Sequence, residues 1–207
     1  SYCYSAKARN GSRLSIEALT VAIDYFIDSK PDGFDRTLTI SFMGGGEPML
    51  SWDCIREGVI HARRKVSDRD INLNIRIITN GSIIDSDILD FLKNQHIDVS
   101  VSFEIIQEVQ DMQRKHYDMV YQNINSLLDH GIAVQINSTI TPANVERMEE
   151  MIHLLHTHFP SVKNAMFEPV VSQEMFATPQ DMRIFYEKYV EHFCESLSLA
   201  DRYGIAL

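Results

Sequence analysis

Two hydrophobic patterns alternate along almost the whole chain. Ile71–Ile78 alternates apolar and polar positions, which is typical of a β-strand, whereas Leu19, Ile23 and Ile27 recur at helical spacing. The patterns predict helices over residues 15–29, 51–65, 85–94, 117–130, 144–158 and 179–202, the fifth of them capped by Asn144. They predict strands over residues 38–43, 71–78, 98–103, 132–140 and 164–171.

Strict alternation of helices and strands predicts an α/β fold with parallel strands and helices packed outside them. Doubly wound sheets and (β/α) barrels both share this order. The sequence begins just before a helix, and one further strand upstream of it would make six. A chain of 207 residues suits a single domain with a sizeable core, so we expect residues 1–207 to form one domain.

The strand at residues 38–43 runs into Gly44-Gly45-Gly46-Glu47-Pro48. Glycine allows positive φ and lets a ligand approach bare main chain, and Pro48 restricts the backbone of Glu47. A carboxylate beside bare backbone suits a ligand that carries an amine. The alternative is a glycine-rich turn whose Glu47 faces water. The glycines fit neither a dinucleotide fingerprint nor a phosphate loop.

Polar residues and glycines also follow the other predicted strands. They are Thr79-Asn80-Gly81, Ser102 to Glu104, Thr139 to Thr141 and Glu168-Pro169. Because parallel strands end at one rim, where α/β folds bind their ligands, we expect a functional site there.

Composition narrows the classes of function. The net charge of −10 argues against a nucleic-acid-binding surface. We expect no membrane span, because no apolar run approaches the required length. The three cysteines, at positions 3, 54 and 194, are too few and too scattered for a disulfide framework. A reducing cytoplasm is therefore the expected location.

Four segments stand out as motifs, and they are Tyr2-Cys3, Gly45 to Pro48, Thr79-Asn80-Gly81 and Val101 to Arg114. Together they resemble radical S-adenosylmethionine (SAM) enzymes, in particular the sulfatase-maturating and SPASM-type peptide-modifying branch. Tyr2-Cys3 matches only the end of the family's Cys-x3-Cys-x-aromatic-Cys motif, whose other cysteines would precede Ser1. Glu104-Ile105 stands where the family usually has Asp-Gly. The resemblance implies a partial (β/α)6 barrel without its first strand, truncated at both ends and lacking a C-terminal SPASM domain.

The resemblance also implies cofactors, a [4Fe-4S] cluster and SAM, and the residues that bind them. Cys3 would be a cluster ligand, Glu47 would accept from the SAM ammonium, and Arg114 would bind the SAM carboxylate through its fork of donors. Ser102 would bond the ribose, Gly45 and Gly46 would let main chain approach the methionine moiety, and Val171 would pack on adenine. The full set of implied SAM-binding residues is Tyr2, Gly45, Gly46, Glu47, Pro48, Thr79, Asn80, Ser102, Arg114 and Val171.

The implied reaction is reductive cleavage of SAM to a 5′-deoxyadenosyl radical, which abstracts a hydrogen atom from a peptide or protein. The implied partners are that substrate and an electron donor such as a flavodoxin or ferredoxin, with no nucleic acid and no membrane. We name no catalytic acid or base, and we expect this stretch alone to be inactive. Two rivals stay open. One is a binding module on the same barrel without a cluster, and the other is an α/β barrel enzyme acting on a small phosphorylated metabolite.

Overall fold

The computed structural model describes residues 13–29 and 36–207. Within them, five strands form one parallel sheet whose spatial order equals the chain order. The strands are β1 (Thr37–Phe42), β2 (Asn72–Thr79), β3 (Ile97–Ser102), β4 (Val134–Ile140) and β5 (Asn164–Pro169). Each predicted strand is present, and the sheet curls into a half-barrel, so the predicted partial (β/α) barrel is confirmed.

Helices lie between the successive strands, before β1 and after β5. They are α1 (Ile16–Asp28), α2 (Trp52–Val66), α3 (Ser86–Asn94), α4 (Gln107–Gln113), α5 (Tyr117–Asp129), α6 (Met148–His158) and α7 (Pro179–Arg202). Helix α4 was not predicted, because its seven residues are too few for a helical repeat to stand out. Among the residues that the structure describes, no helix is long and apolar enough to cross a membrane.

Asn144 lies at the predicted N-cap position, directly before a short 3-10 helix, Val145–Arg147, that runs into α6 at Met148. Its side chain, however, makes no capping hydrogen bond. The Asn144 side chain turns back instead. It accepts from the Thr141 backbone N–H at 2.7 Å and donates to the Thr139 carbonyl at 3.2 Å. Asn144 therefore fixes the turn after β4, which forms part of the rim.

The two faces of the sheet differ in polarity. On the outer face, alternate strand residues such as Leu73, Val99 and Ile136 are buried with the helices in one apolar core. On the inner face, register places Ser41, Arg76 and Asp98 in one row. The next row contains Ile78, Ser100, Gln135 and Asn164. Parallel sheets are usually apolar on both faces, so the polar inner face marks the side that meets water or a polar ligand.

Gly58 lets α1 lie directly against α2. A Cβ at position 58 would lie 2.5 Å from Leu19 Cδ2 and 3.2 Å from Leu19 Cγ. Leu19, Ile23 and Ile27 form the buried stripe of α1 that meets this surface. Because α2 leads out of the Glu47 loop, this contact supports the site as well as the core.

We expect Gly58→Ala to destabilise the fold by about 1 kcal/mol. The overpacking cost of about 1–3 kcal/mol exceeds the gain of about 1 kcal/mol from replacing a helical glycine by alanine. Urea denaturation measures the loss. In a Leu19→Ala background the clash is absent, so there Gly58→Ala should be neutral or stabilising. A stabilising effect in the wild-type background would contradict this account.

Candidate functional site

Three consecutive glycines after β1 all have positive φ. The angles are 78° at Gly44, 67° at Gly45 and 152° at Gly46. A Cβ built at any of the three meets no atom of residues 13–29 or 36–207 within 4 Å. Within these ranges, glycine is therefore needed for the backbone path and not because a neighbour crowds it. The described residues thus leave open space above this stretch of bare main chain.

Glu47 follows the glycines and connects two strand ends. Its Oε1 accepts from the Thr79 hydroxyl at 2.6 Å and from the Met49 backbone N–H at 3.1 Å. Its Oε2 accepts from the Asn80 backbone N–H at 2.7 Å. Pro48 begins the 3-10 helix Pro48–Ser51, which Glu47 caps through Met49. A carboxylate has about four acceptor positions, so these three donors leave acceptor capacity for a further ligand.

The end of β2 is shaped to hold that carboxylate. Thr79 is 2 % exposed, and its hydroxyl also accepts from the Gly81 N–H at 3.1 Å. The Asn80 side chain accepts from the Ser82 N–H at 2.8 Å and closes a turn. Asn80 therefore binds Glu47 through its backbone N–H, whereas its side-chain amide is used in the turn. The structure brings Glu47, Thr79 and Asn80 together, as expected for one rim.

Ser102 and Arg114 occupy the rim above β3 and β4. Ser102 shares a row of the inner face with Asn137 of β4. Arg114 ends α4, and its Nε donates to Glu104 Oε1 at 2.5 Å. Its Nη2 reaches Thr139 Oγ1 at 3.4 Å. Since Thr139 lies two residues beyond Asn137, Arg114 and Ser102 lie at the same corner of the inner face.

Glu104 is the site residue that sequence reasoning missed. It is 0 % exposed, and its Oε2 accepts from Ser138 Oγ and from the Thr139 backbone N–H, both at 2.9 Å. From the sequence, Glu104 was expected at the rim only as one of several polar residues and as a departure from a motif, and it was given no role of its own. One signal was available, because Phe103-Glu104-Ile105-Ile106 places a lone acid in an apolar run, ten residues before Arg114. A carboxylate in an apolar run is buried only when hydrogen-bond donors or a cation pair with it.

The remaining predicted residues lie apart or outside the described ranges. Val171 follows β5, at the opposite edge of the sheet from β1, and is 80 % exposed. Tyr2 and Cys3 lie outside the residues that the structure describes. Cys54 lies on α2 and Cys194 on α7. Across residues 13–29 and 36–207, no group of three His, Cys, Asp or Glu side chains could hold a metal ion.

Comparison with family models decides the family. The model of the radical SAM superfamily matches residues 1–155. The chain belongs to the radical SAM superfamily. The comparison with curated proteins finds no match.

Solved radical SAM structures share the fold at low identity. The sulfatase maturase anSMEcpe, solved with bound AdoMet, gives a TM-score of 0.82 at 14% identity over 100% of this chain. SuiB from Streptococcus suis, bound to the precursor peptide SuiA, gives 0.67 at 14% identity over 94% of this chain. The chain spans 58% of the length of anSMEcpe and 43% of that of SuiB.

The expected cofactors are confirmed as those of the family, SAM and a [4Fe-4S] cluster. The rim fits SAM, because open main chain at Gly44–Gly46 lies beside a carboxylate suited to an ammonium. Within the described ranges, the donors do not form a cluster site. Cys3 is the residue whose motif suits cluster ligation, and it lies outside those ranges.

Proposed function

We propose that this chain is the core domain of a radical SAM enzyme that modifies a peptide or protein substrate. In the proposed reaction, one electron breaks a C–S bond of SAM and releases methionine and a 5′-deoxyadenosyl radical. That radical then takes a hydrogen atom from the substrate, which gives 5′-deoxyadenosine and a substrate radical. A small one-electron carrier such as a flavodoxin or ferredoxin would supply the electron.

The main support for the proposal is the way in which hydrogen bonds hold the Glu47 carboxylate beside the glycine loop. Its carboxylate is fixed by donors from Thr79 and Asn80, directly beside glycine main chain that no side chain of the described residues covers. A fixed carboxylate binds an ammonium with little further loss of side-chain entropy. Gly45, Gly46 and Pro48 would flank the methionine moiety of SAM, and Ser102 and Arg114 would meet its ribose and its carboxylate. Val171 would contact adenine.

Cys3 would hold the cluster together with two cysteines upstream, and Tyr2 would lie against it. When bound and reduced, the cluster supplies the electron for SAM cleavage. The polar inner face of the sheet supports the proposal of a polar substrate such as a peptide. The hydroxyl and amide side chains on this face can form hydrogen bonds with a peptide. The anSMEcpe and SuiB structures with peptides are consistent with this substrate class.

Anaerobic reconstitution of the full-length protein tests the proposal. We expect bound iron and sulfide, an absorbance spectrum of an iron–sulfur cluster, and 5′-deoxyadenosine formation from SAM after reduction. Cys3→Ala should lose all three. The matched control is Cys194→Ala, because Cys194 is exposed on α7 and should leave them unchanged. Absence of iron and of SAM cleavage in the wild-type protein would overturn the proposal, as would full retention of both in Cys3→Ala.

A further inference from the structure

A buried carboxylate lies directly behind Arg114. Glu104 has 0 % side-chain exposure, yet both of its oxygens have donors. Oε1 accepts from Arg114 Nε, and Oε2 accepts from the Ser138 hydroxyl and the Thr139 N–H. A carboxylate without these donors would be costly to bury, so the surrounding strand and helix ends are arranged around its charge.

The loop between β3 and α5 holds this carboxylate in place. The Ile106 N–H donates to the Glu104 carbonyl, which makes a tight three-residue turn around Ile105, whose φ is 67°. The side chain of Gln110, which is 1 % exposed, accepts from the Glu104 N–H at 2.9 Å and donates to the Lys115 carbonyl at 3.1 Å. A branched residue in a left-handed conformation is strained, and such strain persists only where the surroundings enforce it.

The contacts of Arg114 fix the plane of its guanidinium. Nε is held by Glu104 and Nη2 by the Thr139 hydroxyl, while 26% of the side chain stays exposed. Thr139 lies on the inner face of the sheet, two residues beyond the register partner of Ser102. These contacts place the guanidinium beside Thr139, at the corner of the rim where Ser102 ends β3.

We propose that Glu104 is a positioning residue that orients Arg114 toward the carboxylate of SAM. This inference rests on the function proposed above and adds a residue to it. An arginine side chain is long and flexible, and ordering it on binding would weaken the complex. Glu104 orders it in advance and supplies the negative charge that keeps a partly buried guanidinium stable. Glu104 itself need not touch SAM.

A double-mutant cycle tests this role. The dissociation constant for SAM is measured by calorimetry on the anaerobic, cluster-loaded, full-length protein, and urea denaturation gives the stability of each variant. We expect Glu104→Gln to weaken SAM binding about tenfold, because partners in one network couple by this order. Arg114→Gln should weaken binding about 100-fold. The double variant should bind no more weakly than Arg114→Gln, because Glu104 acts only through Arg114.

The matched control is Glu108→Gln, because Glu108 on α4 also pairs with an arginine, Arg147, but at the surface. It should leave SAM binding unchanged. A Glu104→Gln variant that loses stability but keeps wild-type SAM affinity overturns the positioning role, and so do multiplicative losses in the double variant.

If Glu104→Gln does not fold, Glu104→Asp withdraws the carboxylate by one methylene and should weaken SAM binding several-fold. An unchanged affinity then overturns the role. A wild-type protein that binds no SAM overturns both this inference and the proposed function.

Discussion

Glu47→Gln should weaken SAM binding about 100-fold, since a hydrogen bond to a charged group contributes about 1.5–3 kcal/mol. Glutamine keeps the size of the side chain but replaces one acceptor oxygen by an NH₂ group and removes the negative charge. The new donor would face either the Asn80 N–H or the Met49 N–H, each of which now donates to Glu47. The variant therefore loses the acceptor for the SAM ammonium and disturbs the loop that presents it.

Two variants separate these effects. Glu57→Gln removes a carboxylate from the exposed surface of α2 and should leave SAM binding unchanged. Thr79→Val keeps the Glu47 charge but removes the hydroxyl that donates to it, so it should cost only a few-fold in affinity. Calorimetry on the reconstituted full-length protein measures all three. A folded Glu47→Gln variant that binds SAM within threefold of the wild type would exclude Glu47 as the ammonium ligand.

Much of the fold could be predicted from the sequence because its strands carry a clear signal. Most outer-face positions are apolar and most inner-face positions polar, so alternation marks β2 and β4 directly. The glycine run after β1 predicted bare main chain, and the three positive φ angles explain why glycine is needed there. Thr79 and Asn80 were expected at the same rim as Glu47, but the donors they use could not be predicted. Asn80 bonds through its backbone, which the residue type does not reveal.

The rim above β3 was less predictable because its contacts are non-local and its backbone is unusual. Glu104 meets Ser138 and Thr139, more than 30 residues away, and only the register of β3 against β4 brings them together. Ile105 adopts a left-handed conformation that a branched residue rarely takes, so no propensity rule would assign it. Asn144 has the residue type of a helix cap, yet its amide is used by the turn after β4.

Gly81→Ala should destabilise the protein by about 3 kcal/mol, the sum of two costs. Gly81 has a φ of 74°, and a non-glycine residue there costs about 1–2 kcal/mol. A Cβ would also lie 2.8 Å from Val101 Cγ1 and 3.0 Å from Val120 Cγ1, and such overpacking costs about 1–3 kcal/mol. Urea denaturation measures the loss. The Gly81 N–H donates to the Thr79 hydroxyl that binds Glu47. We therefore expect Gly81→Ala to lower SAM affinity as well as stability.

Gly131→Ala is the matched control because it isolates the first cost. Gly131 has nearly the same φ, 73°, but a Cβ there meets no atom within 4 Å in the part of the chain that the structure describes. It ends α5, far along the chain from the glycine loop, and its substitution should cost only about 1–2 kcal/mol and leave SAM affinity unchanged. The difference between the two variants measures the crowding by Val101 and Val120. Equal losses at both positions would show that backbone conformation alone requires glycine at position 81. Crowding of the added Cβ by Val101 and Val120 would then contribute nothing.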